Sequence, residues 1–269
     1  MVKHPIYTDS QIPITTSNGI HGPQIAEWVV MTALLQSHYY NDMYELQKKH
    51  KWDRANTDKK KVRDMVGQRL GVLGYGSIGR QVGRVAKALG MDVIAYTATP
   101  KDTPEKKRDN GFVVPGTGDL EGSVPSEWYS GLDKPSLHNF LKQDIDFLLI
   151  SVPLTKETTH FIAREEFEIL SKRKAFLANI SRGDIIKQPD LIEALKKGDL
   201  RGAALDVASP EPLPADDPLW DAPNVTITPH ISGNGVNYWE RAVKVLEVNL
   251  ERRKSGKELI NLVDRKRGY

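Results

Sequence analysis

The sequence contains no cysteine among its 269 residues. Disulfide scaffolds, thiolate metal centres and cysteine nucleophiles are therefore excluded at the outset. No apolar run is long enough to span a bilayer. The opening residues, Met1 to Gln11, carry no apolar stretch like that of a secretory leader. Neither sign of charge is in excess. The net charge of +3 is too small to imply a nucleic-acid or membrane partner. The basic end (Arg252, Arg253, Lys254, Arg265, Lys266, Arg267) reads as a solvated helix face and tail. No metal-ligand cluster stands out. With 39% hydrophobic residues the chain can bury the core of one large or two ordinary domains. These absences leave a cytoplasmic globular protein as the expectation.

What is present begins with Gly74-Tyr75-Gly76-Ser77-Ile78-Gly79. A short apolar strand (Leu70, Val72, Leu73) precedes it and a helix opens at Arg80. This is GxGxxG in the context that gives it meaning. The first glycine makes the tight turn and the second lets backbone approach a pyrophosphate. The third lets helix and strand pack closely. Free N–H groups and the dipole at the helix start then favour phosphate.

The remaining elements fall around this loop. Residues 1–20 are polar and broken by Pro5 and Pro13. Helical spacing of Ile25, Trp28, Val29, Thr32 and Leu35 predicts one long helix from Gln24 to about Lys49. Residues 50–66 are charged and loop-like. Val93 to Tyr96 is a strand. Residues 97–135 are rich in Pro and Gly and read as an irregular insertion with a short strand at 112–114. Ser136 is placed as the cap of a helix reaching about Gln143. Strands follow at 146–152, 175–180, 202–207 and 225–228, with helices at 163–170 and 191–197. Val236, Trp239, Val243, Leu246 and Leu250 form one stripe on a closing helix. Alternating strands and helices predict an α/β fold with a doubly wound, Rossmann-type parallel sheet.

Ligands in such sheets lie beyond the carboxyl ends of the strands. Three strands end there in reactive groups: Arg182 after 175–180, Glu211 after 202–207, and His230 after 225–228. Arg182 can grip a carboxylate through two parallel hydrogen bonds and polarise an adjacent ketone. His230 can donate a proton as hydride arrives, and Glu211 can hold the other ring nitrogen and favour the charged imidazole. Beside a nicotinamide, this set suits carbonyl reduction.

At this point the chain resembles the D-isomer-specific 2-hydroxyacid dehydrogenases. The resemblance rests on GYGSIGR, SVPLT (151–155), NISRGD (179–184), LDVASPEPL (205–213) and TPHISG (228–233), in the family's order. It runs from about Gly19 to Tyr269. It implies that Arg182 binds and polarises the substrate, that Glu211 assists, and that His230 is the acid/base. It further implies that Asp206 contacts the nicotinamide carboxamide and that Ser77 and Ile78 contact the cofactor. Pro153, Ile180, Ser181 and Gly233 join Tyr75 and the loop glycines in the implied cofactor site. The substrate class implied is a short 2-keto or 2-hydroxy acid, such as glyoxylate or hydroxypyruvate. A homodimer involving the long helix is also implied.

The second strand ends in Thr97, where NAD-using proteins commonly place a carboxylate on the ribose 2′-hydroxyl. With no acid there, NADP(H) is the expected cofactor and NAD(H) remains possible. Lys101 is the candidate partner of a 2′-phosphate, with Lys106 to Arg108 beyond it. The family's separate substrate lobe is not represented in full. Residues 1–22 read as its remnant, 23–230 as the nucleotide domain including helix 24–49, and 231–269 as a helix and tail returning to the lobe. The helix at 24 and the closing helix are both expected to show uncovered apolar faces. The alternative to an enzyme is a nucleotide-binding sensor or corepressor-like module with little turnover. A formate dehydrogenase is disfavoured by Glu211, since those relatives carry glutamine in that role.

Overall fold

A computed structural model describes residues 4–57 and 61–265. Its elements are, in chain order, α1 (Pro5–Thr8), α2 (Gly22–Ser37), α3 (Tyr40–Lys48), α4 (Arg54–Thr57), β1 (Arg69–Leu73), α5 (Ser77–Ala88), β2 (Asp92–Thr97), α6 (Pro104–Lys107), β3 (Glu127–Ser130), α7 (Lys134–Leu141), β4 (Phe147–Ile150), α8 (Arg164–Ser171), β5 (Phe176–Asn179), α9 (Gln188–Lys197), β6 (Gly202–Leu205), β7 (Val225–Ile227) and α10 (Tyr238–Lys254). Seven strands form one sheet in the order β3-β2-β1-β4-β5-β6-β7. Every neighbouring pair is parallel. The order reverses between β1 and β4, which opens a crevice at their carboxyl ends.

Strand alternation explains why these segments are apolar without interruption. Leu70, Val72, Val93, Ala95, Phe147 and Leu149 face the layer containing α2 and α5. Leu73, Ile94, Tyr96, Leu148 and Ile150 face the layer of α7, α8 and α9. Both faces are covered, so each strand side chain needs an apolar partner. Fully burying one large aliphatic or aromatic side chain contributes roughly 1.5–3 kcal/mol.

The single helix expected over 24–49 is two helices. Tyr39 takes a left-handed conformation (φ 53°) between α2 and α3. Apolar spacing continues through this point, but the chain turns because α3 lies beyond the sheet and has no buried residue. The apolar face expected to be uncovered on the first part is covered. Ile25, Trp28 and Val29 are buried in the layer shared with α5. The expectation holds for α10, where Val236 just before the helix is 100% exposed and Trp239 is 77% exposed, with Val243, Leu246 and Leu250 also exposed.

The insertion at 97–135 is ordered, and no strand forms at 112–114. The edge strand is β3, which pairs Trp128 with Ala95 and Ser130 with Thr97. Asp133, and not Ser136, caps α7: its carboxylate accepts from the Ser136 N–H at 2.7 Å. The buried Asp119 carboxylate organises the insertion. It accepts from Tyr75 Oη at 2.9 Å, Ser123 N at 2.9 Å and Val124 N at 3.1 Å. Arg80, buried at the start of α5, donates to the carbonyls of Asp119 and Lys107, both at 2.5 Å. Burial, followed by the Asp119 charge, pushes the Tyr75 hydroxyl far above its ordinary range, so it stays a donor.

The two ends of the chain pair with each other. Thr15 and Leu262 form an antiparallel bridge. Val263 N donates to Ile14 O at 2.9 Å, and Arg265 Nη2 donates to Ile12 O at 2.6 Å. Asn261 ties this unit to Asn18 through its side-chain amide at 2.9 Å.

Replacing Asp119 by alanine leaves the buried Tyr75 hydroxyl and two partly buried backbone N–H groups without their acceptor. The Asp119→Ala protein is expected to lose roughly 3 kcal/mol of stability. Urea unfolding measures this, and limited proteolysis should show new cleavage within 107–126.

Candidate functional site

The glycine loop has the geometry its residues imply. Gly74 sits at φ +103°, and a Cβ there would fall 2.7 Å from Ser151 backbone. Gly76 faces open space, and a Cβ on Gly79 would lie 2.4 Å from Gly74 O. Gly76 is the residue before α5 and supplies no side-chain cap. The N–H groups of the first turn of α5 are therefore left for an acceptor from outside the helix. Small-molecule and cofactor sites are typically about 300–1,000 Å³, and a cavity of 610 Å³ runs along this edge. Its walls include Gly74, Tyr75, Gly76, Thr97, Lys101 and Pro153. The Tyr96 hydroxyl is buried at the same wall without a hydrogen-bond partner. An open glycine, free helix N–H groups and an orphaned hydroxyl in one trough fit a dinucleotide.

At the far end of β2, Thr97 Oγ1 donates to Thr99 O at 2.8 Å, and no carboxylate stands at this position. Lys101 is half-buried beside it. Burial, then the charges of Arg80 and Lys106, lowers its pKa from the ordinary lysine value. An ammonium held among cations and partly withdrawn from water is a good receptor for a phosphate.

The second half of the site stands where β5, β6 and β7 end. His230 Nδ1 lies 3.0 Å from Glu211 Oε2. The other oxygen of Glu211 accepts from Ala208 N at 3.1 Å, which holds the carboxylate towards the ring. His230 itself has φ 56°, a left-handed conformation in the turn after β7. Asp206, buried at the end of β6, holds that turn. Its carboxylate accepts from Thr228 Oγ1 at 2.5 Å, Ile231 N at 2.9 Å, Ser232 N at 2.9 Å and the Ser232 hydroxyl. The role visible for Asp206 is thus to fix His230. A 540 Å³ cavity is lined by Asp206, Glu211, Leu213, Trp220 and His230.

Arg182 is exposed on the neighbouring loop, with Nη1 donating to Ser181 O at 2.6 Å. Among the described contacts it does not touch Glu211 or His230. Ser181 is buried, and its hydroxyl donates to Val152 O, which ties the loops after β4 and β5 together. Ile180 is buried in the sheet layer with α2 and α5. Gly233 O accepts from Gln24 Nε2 at 3.1 Å, joining the His230 turn to α2. Ser77 and Ile78 open α5, and the Ser77 hydroxyl donates to Asn18 Oδ1 at 2.8 Å. Asn18 was not among the sequence candidates. Its place in a turn next to Gly19 gave no sign of contact with a residue 59 positions away. His21 carries no motif in the sequence either; its Nδ1 is buried without a partner next to Gly233 and Tyr238.

Comparison with known proteins matches residues 30–116 and 122–232 to the D-isomer specific 2-hydroxyacid dehydrogenase, NAD binding domain family. A glyoxylate reductase from Korarchaeum cryptofilum is 35% identical over 201 residues, which is 75% of this chain and 53% of that protein. The chain thus spans about half the length of the curated relatives it matches. Two solved structures share the fold closely. A D-isomer specific 2-hydroxyacid dehydrogenase from Xanthobacter autotrophicus, in complex with NADPH and MES, aligns with TM-score 0.75 and 28% identity over 97% of this chain and 95% of that one. An NADPH-dependent glyoxylate/hydroxypyruvate reductase from Sinorhizobium meliloti, in complex with NADP and sulfate, aligns with TM-score 0.76 and 26% identity over 100% of this chain and 76% of that one.

Because Asp206 accepts four hydrogen bonds, an amide cannot replace it. Asp206→Asn turns an NH₂ towards donors and is expected to cost about 3 kcal/mol. Urea unfolding reads the loss. Asp184→Asn, at a neighbouring loop where a single side-chain contact to Ser209 is formed, should cost far less.

Proposed function

The chain belongs to the D-isomer-specific 2-hydroxyacid dehydrogenase family, and from that premise we propose that it carries the cofactor half and the acid–base pair of an NADP(H)-preferring reductase of short 2-keto acids. The observation that carries this reading is the Glu211–His230 pair at 3.0 Å, on the same sheet edge as the glycine loop. When bound, the dinucleotide supplies a hydride. His230 holds the proton needed at the carbonyl oxygen on Nε2, because Nδ1 is committed to Glu211. Arg182 offers the exposed part of its guanidinium to the substrate carboxylate. Asp206 keeps His230 in place through its hold on the turn.

The relatives, which include a glyoxylate reductase and a hydroxypyruvate reductase, support a substrate of that type. The NADP complexes of similar structures, together with Thr97 and Lys101, support NADP(H) over NAD(H). In this reading the paired ends, residues 1–22 and 231–269, belong to a substrate lobe, and the exposed stripe of α10 faces it. A cytoplasmic homodimer is part of the same proposal. It is supported by the aromatic residues Tyr40, Tyr44 and Trp52 exposed on and beside α3, with Trp52 at 96%.

His230→Ala is expected to lower kcat for glyoxylate by about 10²–10⁴-fold, with NADPH affinity nearly unchanged in a fluorescence titration. Tight NADPH binding in the unaltered chain, without turnover of any short 2-keto acid, would instead favour a sensor. Lys101→Met should weaken NADPH about tenfold and leave NADH unaffected, as for loss of one charged contact. The selectivity for NADPH should also fall as pH rises, and sooner than for an ordinary lysine, because the lowered pKa empties the charged form earlier. Equal Kd values for NADPH and NADH across pH would contradict the assignment.

A further inference from the structure

At the amino-terminal edge of the sheet, opposite the cofactor crevice, cations gather around one buried carboxylate. Asp146 precedes β4 and is 1% exposed. It accepts from Arg63, from Arg173 Nε at 3.0 Å and Nη2 at 2.8 Å, and from Arg69 N at 3.0 Å. That one charge is shared by two guanidinium groups. A third, Arg201, lies just before β6, sits over the Phe176 ring at 5.9 Å and has no carboxylate partner among the described residues. Its Nη2 donates to Gln68 Oε1 at 2.9 Å, but Nε and Nη1 are buried without a partner. Burial, then the charge of Arg63, lowers the Arg201 pKa to about 10. Buried donors of this kind are costly unless something accepts from them.

Arg201 and Arg63 line a 470 Å³ cavity whose other walls include Ser37, Tyr39, Lys61 and Lys174. The acidic residue on its wall, Asp42, already has a partner of its own. Lys61 and Lys174 form no ion pair with an acidic residue among the described residues. The cavity is therefore framed by the guanidinium groups of Arg63 and Arg201 and the ammonium groups of Lys61 and Lys174, while the Ser37 hydroxyl and the Tyr39 phenol on its wall already donate to Leu34 O and Lys61 O. Forked arginine donors and compact lysine charges, approaching from several directions, match a tetrahedral dianion better than a flat carboxylate.

We propose that this cavity is a second anion site, in which Arg201, Arg63, Lys61 and Lys174 hold the phosphate group of a small phosphate-bearing molecule. The site lies at the opposite ends of the strands from Glu211 and His230 and does not depend on the function assigned to them. Its volume of 470 Å³ admits a compact phosphorylated metabolite.

Inorganic phosphate, titrated into the full chain at constant ionic strength against chloride, tests the proposal without cofactor. The expected result is saturable stabilisation in thermal unfolding. It should weaken at least tenfold in Lys61→Gln/Lys174→Gln and in Arg201→Met, and stay unchanged in Lys257→Gln, which removes an exposed lysine outside both cavities. The double lysine variant keeps the test valid if Arg201→Met does not fold. Equal response in the double lysine variant overturns the proposal, as does an equal loss in Lys257→Gln or no effect beyond chloride. Sedimentation gives a further contradiction: cavity variants that change self-association, without any phosphate response, would assign the cavity to carboxylates of a second copy.

Discussion

The structure depends on a parallel sheet that is apolar on both faces. Leu70 and Val72 pack towards one helical layer and Leu73 towards the other, and the same alternation repeats in β2 and β4. Polar chemistry is thereby expelled to the strand ends. The carboxyl edge collects the glycine loop, Thr97, Arg182, Glu211 and His230. The amino edge collects Asp146 with its arginines. A charged group placed midway along β4 or β5 would meet helices on either side and no water, at a cost of several kcal/mol. Function at the edges thus follows from burial in the middle.

Within that frame, a few buried polar groups turn loops into fixed parts. Asp206 uses both carboxylate oxygens to hold the turn in which His230 takes its left-handed conformation. Asp119 does the same for the insertion, and Tyr75 makes the glycine loop a party to it. The insertion is therefore coupled to the loop expected to meet the pyrophosphate. Asn18 adds a link from the paired ends of the chain to Ser77. Each device satisfies donors that burial would otherwise leave costly.

Much of this was legible in the sequence, and the reasons for the rest are physical. The glycine loop, the strands and the three candidate groups Arg182, Glu211 and His230 could be located because each is a local pattern with a required context. The break at Tyr39 was hidden, because apolar spacing runs on through it while the surroundings that decide the turn lie elsewhere in the fold. The insertion read as irregular because its order comes from Asp119, Arg80 and Tyr75 meeting across tens of residues. β3 was missed for a related reason: an edge strand has one neighbour, and Glu127-Trp128-Tyr129-Ser130 lacks the unbroken apolar character of its companions. Asp206 was read through family resemblance as a cofactor contact; its hold on the His230 turn emerged only from the geometry. Arg201 gave no signal at all, since its meaning lies in two donors, Nε and Nη1, that are buried without a partner.

The proposed hydride transfer to a 2-keto acid, served jointly by the glycine loop and the Glu211–His230 pair, leaves an isotopic trace. NADPH deuterated at the transferable position of the nicotinamide is incubated with the chain and hydroxypyruvate, and the product is examined by mass spectrometry and NMR. Deuterium is expected at C2 of the hydroxy acid, in the D configuration. Product without the label, or no product from hydroxypyruvate and glyoxylate while NADPH binds, rules that transfer out.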